Sequence, residues 1–156
     1  MPDEAPRDGG DPGPGRHLVL SFDVGKRRIG VACGDNVSRA ASPLGGVAAG
    51  PRGPQWGGID ALMQDWRPAV LVVGLPYNAD GSEGPAAAAA RSFAAELGER
   101  YALPVQLVDE RYSSLEAEER LRGARKSGLR KRRVAKADVD AAAACVILER
   151  WFSEKT

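Results

Sequence analysis

Carboxylates stand where apolar segments end. Asp23 closes the run Leu18-Val-Leu-Ser-Phe-Asp23, and Asp109 and Glu110 follow Val105-Gln-Leu-Val108. Asp140 falls in the first turn of a helical stretch, Val139–Phe152. If these strand ends and that helix start converge, the acids form a cluster. Clustered carboxylates repel and are costly to bury unless a cation joins them. Hard divalent ions with oxygen ligands, Mg²⁺ or Mn²⁺, are the natural solution. Two such ions about 3.5–4 Å apart activate water and steady the leaving oxygen of a phosphodiester. Other mechanisms have little to work with. One histidine, His17, and two distant cysteines, Cys33 and Cys145, make no zinc set and no His- or Cys-based catalytic pair.

Each acid also has an ordinary use. Asp23 can shape the turn at Gly25. Asp109 or Glu110 can pair with Arg111 or cap a helix. Asp138 or Asp140 can complement the dipole of the final helix. Asp138 and Asp140 are two residues apart, roughly 200° around a helix, so both cannot face the strand ends if both are helical.

Basic residues are concentrated beside one of these acids. From Arg120 to Lys136 there are nine Lys and Arg and no acid. Such runs are often solvated loops, but mobile cations next to a cutting site suit a phosphate backbone, whose binding gains from counterion release. Arg130, Lys131, Arg132 and Arg133 are the foremost candidates for nucleic-acid contact. Lys26, Arg27 and Arg28, in the turn after Asp23, come second, on the same edge as the acids or the opposite one. Pro76-Tyr-Asn-Ala-Asp-Gly-Ser-Glu-Gly84 links a strand end to a helix start, a favoured ligand position in open α/β sheets.

The elements that must position these groups are legible from periodicity. Leu18–Asp23 and Ile29–Cys33 read as a hairpin, with a third short strand near Ser42–Val47 and a loop over Gly45–Gly58. Trp56–Trp66 carries apolar residues at helical spacing. Val70-Leu-Val-Val-Gly74 is a strand covered on both faces. Pro85 opens a long alanine-rich helix to Tyr101, and Val105–Val108 is the last strand. Ser113-Ser-Leu-Glu116 is a capping box for a helix to about Arg122. The final helix would bury Val139, Ala142, Val146 and Trp151. This order predicts an α/β fold, a mixed sheet with helices on both faces.

The 156 residues suit one domain, and 22 Lys and Arg nearly balance 21 Asp and Glu. The Pro/Gly-rich stretch 1–16 reads as a disordered tail ahead of a domain over 17–153. It has no apolar signal region, and no segment approaches the ~18 apolar residues of a membrane span. A cytoplasmic protein is expected. Cys33 and Cys145 sit in apolar contexts as inert core thiols.

Five segments in order carry a resemblance: Phe22-Asp-Val-Gly-Lys-Arg-Arg-Ile-Gly-Val-Ala32, Val73-Gly-Leu-Pro76, Asn78-Ala-Asp-Gly-Ser-Glu-Gly84, Asp109-Glu-Arg111 and Asp140-Ala-Ala-Ala-Ala-Cys-Val-Ile-Leu148. Together they resemble the YqgF/RuvX family of bacterial RuvC-like nucleases, over about Leu18 to Phe152. The resemblance implies an RNase H-like fold, a five-stranded sheet of order 3-2-1-4-5. It implies a metal-dependent nuclease with Asp23, Glu110 and Asp140 as catalytic metal ligands. Implied substrates are pre-16S ribosomal RNA, trimmed at its 5′ end within ribosomal precursor particles, and branched DNA such as Holliday junctions. A junction cutter needs two active sites, hence a homodimer; an RNA trimmer works as a monomer. Two rival readings remain. An ATP-binding protein of the actin and sugar-kinase type needs a second lobe, for which the chain has no room. A catalytically inactive nucleic-acid-binding or ribosome-assembly factor would have no need of the three acids.

Overall fold

A computed structural model describes residues 15–78, 80–110 and 136–154. The elements run β1 (Leu18–Val24), β2 (Arg28–Asp35), β3 (Ala41–Gly50), β4 (Gly53–Pro54), α1 (Trp56–Trp66), β5 (Val70–Leu75), α2 (Pro85–Tyr101), β6 (Val105–Asp109) and α3 (Lys136–Glu154). The strands form one mixed sheet of order β4-β3-β2-β1-β5-β6. β1, β2 and β3 are an antiparallel meander, and β5 and β6 join β1 in parallel.

The expected order 3-2-1-4-5 is present within this sheet, with a sixth strand added at the meander edge. That strand is only Gly53–Pro54, paired with Ala49 and Gly50. It exists because β3 continues to Gly50, past the Ser42–Val47 read from the sequence. Glycines at Gly45, Gly46 and Gly50 suggest a loop, yet pairing with β2 carries the chain through Gly45 and Gly46, and Gly50 pairs with Gly53 of β4. A register shift between Val31 and Ala32 absorbs the irregularity. α3 is described from Lys136, upstream of the expected Val139, so Asp138 and Asp140 are both helical. The helix expected from Ser113 falls outside the described residues, as do residues 1–14.

Strand parity divides the core in two. Leu20 and Phe22 of β1 face α1 and α2, with Leu71, Val73, Ile59, Phe93 and Leu97. Val19 faces α3, with Val70, Val72, Val108, Ile147, Leu148 and Trp151. β5 is buried at all six positions because helices cover both its faces. Burial of each such aliphatic side chain is worth about 1.5–3 kcal/mol. α3 buries more than one stripe: Ala141, Ala142, Ala144, Cys145, Val146, Ile147 and Leu148 are all buried. Cys33 and Cys145 are buried on opposite faces of the sheet and form no disulfide.

The β2–β3 turn is locked by Asp35. Its Oδ1 accepts the backbone N–H of Val37 at 2.9 Å and of Ser38 at 2.7 Å, and Oδ2 accepts the Ser38 hydroxyl at 3.2 Å. Arg16 adds an ion pair at 3.3 Å. The Ser38 amide, with these partners, holds the Asp35 carboxyl below the usual carboxylate range. The folded chain therefore binds fewer protons there than the unfolded chain. This contribution to stability is complete above the unfolded carboxylate pKa of about 3.9 and is lost as pH falls through the folded value. Asp35→Ala should cost about 1 kcal/mol at neutral pH. It should also flatten the acid limb of a plot of urea midpoint against pH between about 5 and 2.

Candidate active site

β1, β5 and β6 are parallel, so their carboxyl ends share one edge of the sheet. Phe22 pairs with Val73, and Leu75 with Asp109. One residue past Phe22, Asp23 therefore comes level with Gly74. Asp23 shares parity with Val19 and Ser21, Gly74 with Val70 and Val72, and Glu110 with Val108. All three thus stand on the α3 face, beyond the end of the apolar cluster.

β1 and β6 are not neighbours. β5 lies between them, which sets their axes about 9–10 Å apart. An ordinary side chain on β5 would wall the two acids off from each other. Position 74 is a glycine, and a Cβ there would collide with Glu110 Oε1 and Ile147 Cδ1. Glu110 lies across this gap and its carboxyl meets Asp23 in a side-chain hydrogen bond. The longer acid spans most of the separation. The Glu110 backbone N–H donates to the Leu75 carbonyl at 3.1 Å, fixing its start. Asp109, one residue earlier, has the other parity, and its carbonyl accepts from Arg150 at 2.6 Å.

Burial pushes the Asp23 carboxyl above its ordinary value, and the hydrogen bond to Glu110 offsets part of that rise. Two carboxyls can hydrogen-bond only if a proton lies between them. A hard cation could replace that proton and satisfy both groups, so the donor set fits a divalent metal.

α3 is placed over this edge by a second polar group. Ser21, fully buried, donates its hydroxyl to the Ala144 carbonyl at 2.7 Å. A Cβ on Gly34, which pairs with Val19, would touch Leu148 and Phe152. From Val19 to Ser21 the facing helix positions therefore fall from 148 towards 144, so α3 runs antiparallel to β1. Two further residues along β1 advance about 6.6 Å, and one turn of helix about 6 Å. The backbone of Asp140 thus lies one turn upstream of Ala144, level with Asp23. Its side chain is outside the described residues, among which no three His, Cys, Asp or Glu come together.

Of the basic candidates, Lys26 and Arg27 are exposed in the turn that directly follows β1, at the same edge as Asp23. Arg130, Lys131, Arg132 and Arg133 are outside the described residues. The loop from Pro76 to Gly84 uses its own polar groups. Asp80 accepts the Ser82 N–H and hydroxyl, Asn78 binds Ser82, and Glu83 forms a two-fold ion pair with Arg91. Two residues that shape the site, Gly74 and Ser21, were not singled out from the sequence. Their signals are there: a glycine inside an apolar strand marks a close approach, and a serine in one needs a buried partner.

The profile of the RuvX family, described as Holliday junction resolvase, matches residues 17–154. The chain belongs to the RuvX family. Its relatives include two proteins named "Putative pre-16S rRNA nuclease" from Xanthomonas campestris pv. campestris. That of strain B100 is 50% identical over 135 residues, covering 86% of each chain. That of strain 8004 is 49% identical with the same coverage. Among solved structures, T. thermophilus RuvC in complex with Holliday junction substrate shares the fold at TM-score 0.53 and 19% identity. It matches over 88% of this chain and 95% of its own. A second Thermus thermophilus RuvC structure gives TM-score 0.52 at 18% identity, with the same coverage. This RuvX chain is thus an RNase H-like α/β domain of RuvC type.

Two outcomes follow from the carboxyl pair. In chelator, the raised Asp23 pKa makes the folded protein less stable as pH rises past the ordinary carboxylate range, because the folded state must release a proton it holds more tightly. Asp23→Asn removes that cost. At pH 8 in chelator it should raise Tm, by about 2–4 °C per kcal/mol of strain removed, in a thermal melt. Gly74→Ala should do the reverse of a mild substitution. By driving Glu110 and Ile147 aside it should lower Tm by several degrees, reflecting about 1–3 kcal/mol of overpacking.

Proposed function

We propose that this RuvX chain is a divalent-metal-dependent phosphodiesterase that trims the 5′ end of pre-16S ribosomal RNA, working on ribosomal precursor particles. The observation that carries the reading is the Asp23–Glu110 carboxyl contact at the carboxyl edge of the sheet. The nuclease role accords with the names of relatives about half identical in sequence. The family description keeps cleavage of branched DNA as a second activity of the same site. Hydrolysis by a carboxylate–metal site acts on either backbone, since the attacked phosphate is the same in both.

Asp23, Glu110 and Asp140 would hold Mg²⁺ or Mn²⁺, in a pair of ions. When bound, the metal supplies positive charge to the scissile phosphate and lowers the pKa of an attacking water. The chain's own groups do the rest. Asp23 and Glu110 present oxygens from rigid strand ends, so little ordering is left for the moment of reaction. Gly74 leaves the space in which the Glu110 carboxyl turns towards Asp23. Ser21 holds α3 against β1, which sets the approach of position 140. Lys26 and Arg27, with Arg130, Lys131, Arg132 and Arg133, would bind phosphates flanking the cut without reading sequence.

The test is a cleavage assay on a precursor 16S 5′ fragment and on a four-way DNA junction, in Mg²⁺, Mn²⁺ or chelator. Cleavage should require the metal. Asp140→Asn should abolish turnover at saturating substrate, by at least about 10³-fold, and raise the Mn²⁺ needed for any residue of activity. Asp138→Asn should keep turnover within about threefold, because the two positions face different sides of α3. Full cleavage in chelator, or opposite effects of the two substitutions, would refute the assignment. Metal-independent binding with no cleavage of either substrate would identify an inactive binding factor instead.

A further inference from the structure

The acids occupy the α3 face of the sheet. On the other face, at the same edge, lies a partly open cavity of about 290 Å³. Its floor is apolar, formed by Val24, Ile29 and Phe93. Phe93 is held rigidly, edge-on to Phe22 at 5.4 Å and stacked on Trp56 at 5.6 Å. One wall is α2, where Ala89, Ser92 and Glu96 fall three and four residues apart on one helix face and are exposed. The facing wall is the β3–β4 hairpin, and Gly25 and Lys26 of the β1–β2 turn close the end. Cationic residues stand at one end and in the facing hairpin. Lys26 lines it, Arg27 is next in the turn, and Arg52 stands between the lining residues Gly50 and Gly53. Glu96 is the one acid among the lining residues.

This cavity is at the small end of ligand sites, which run to about 300–1,000 Å³. It suits one flat ring system rather than a large cofactor. An apolar floor, a hydroxyl and a carboxylate on one wall, and a cationic mouth match the three parts of a nucleotide. The apolar surface meets the base faces, Ser92 and Glu96 meet the base edge, and Lys26, Arg27 and Arg52 meet the phosphates. Asp23 and Val24 are consecutive and point to opposite faces, so only the Gly25–Arg27 turn separates this cavity from the acids. A strand cut at Asp23 has a short path over that turn.

We propose that the cavity holds one unstacked base of the substrate strand, flanking the scissile phosphate. It rests on the nuclease reading above. Unpaired bases splayed from the chain are how RNA sequence is commonly read. Glu96 accepts hydrogen bonds, so the site favours a base with an exocyclic amino group and disfavours uracil.

The test uses the full chain in chelator, where nothing is cut, and a fluorescein-labelled single-stranded RNA spanning a cleavage position. Binding is followed by anisotropy while one base at a time is replaced by an abasic residue. One flanking position should lose about tenfold in affinity. At that position uracil should bind about tenfold more weakly than cytosine or adenine. Ala89→Trp fills the cavity from an exposed helical position, and should erase the abasic penalty at that position alone. Glu96→Gln, a surface change of equal size, should erase the base preference and keep the abasic penalty. A flat abasic profile in the wild type, or a profile unchanged by Ala89→Trp, would overturn the base site and leave the nuclease reading standing. No RNA binding at all would overturn the base site and the ribosomal RNA substrate together, leaving only branched DNA to the acids.

Discussion

The structure turns on two carboxyls brought together from strands that do not touch. Asp23 and Glu110 belong to β1 and β6, and β5 runs between them. Their contact requires three conditions at once: parallel strands ending at one edge, matched parity, and no side chain at position 74. The arrangement carries two costs. A central glycine weakens a strand. Buried neighbouring carboxyls oppose each other's ionisation. The rest of the domain offsets these costs with a continuous apolar β5 and helices packed on both faces.

The sheet serves as a divider as well as a scaffold. Strand parity sends alternate residues of β1 to two different environments. Ser21 and Asp23 go to the α3 side, where polar groups are needed. Leu20, Phe22 and Val24 go to the side of α1 and α2, with an aromatic cluster and an apolar cavity. That second side is held rigid by contacts far from the acids. Trp56 stacks on Phe93, the Arg100 guanidinium lies 4.2 Å over Trp56, and the Tyr101 hydroxyl donates to Asp60. Burial and the Asp60 carboxylate keep the Tyr101 phenol protonated well beyond its usual range. A one-residue slip in β1 would exchange the two environments, so register is under strong constraint.

Polar groups in the described residues are mostly committed to local structure. Asp35 ties a turn, Asp80 and Asn78 tie the loop after β5, and Glu83 ties that loop to α2. Such bonds give the loops one geometry and remove candidates for catalysis that exposure alone would leave in play. Against that background, the Asp23 carboxyl, pushed up by burial, stands apart from the acids whose pKa is lowered by ordinary partners.

Periodicity and composition determined much by themselves. Parallel βαβ units follow from apolar runs alternating with helical spacings, because burial imposes those periods locally. The positions of Asp23 and Glu110 at strand ends were legible for the same reason. Lys26 and Arg27 were visible as a basic turn, but their edge was open until the hairpin length placed them beside Asp23. Other features depended on pairing between distant segments. β3 extends through glycines that read as a loop because β2 supplies the hydrogen bonds, and β4 exists only as its partner. The start of α3 moved three residues upstream of the apolar pattern, since alanine and lysine extend a helix without marking it. Which of Asp109 and Glu110 meets Asp23 was settled by parity at the end of β6. The need for Gly74 arises from an atom 36 residues away, Glu110 Oε1, and no local property of the strand encodes that distance.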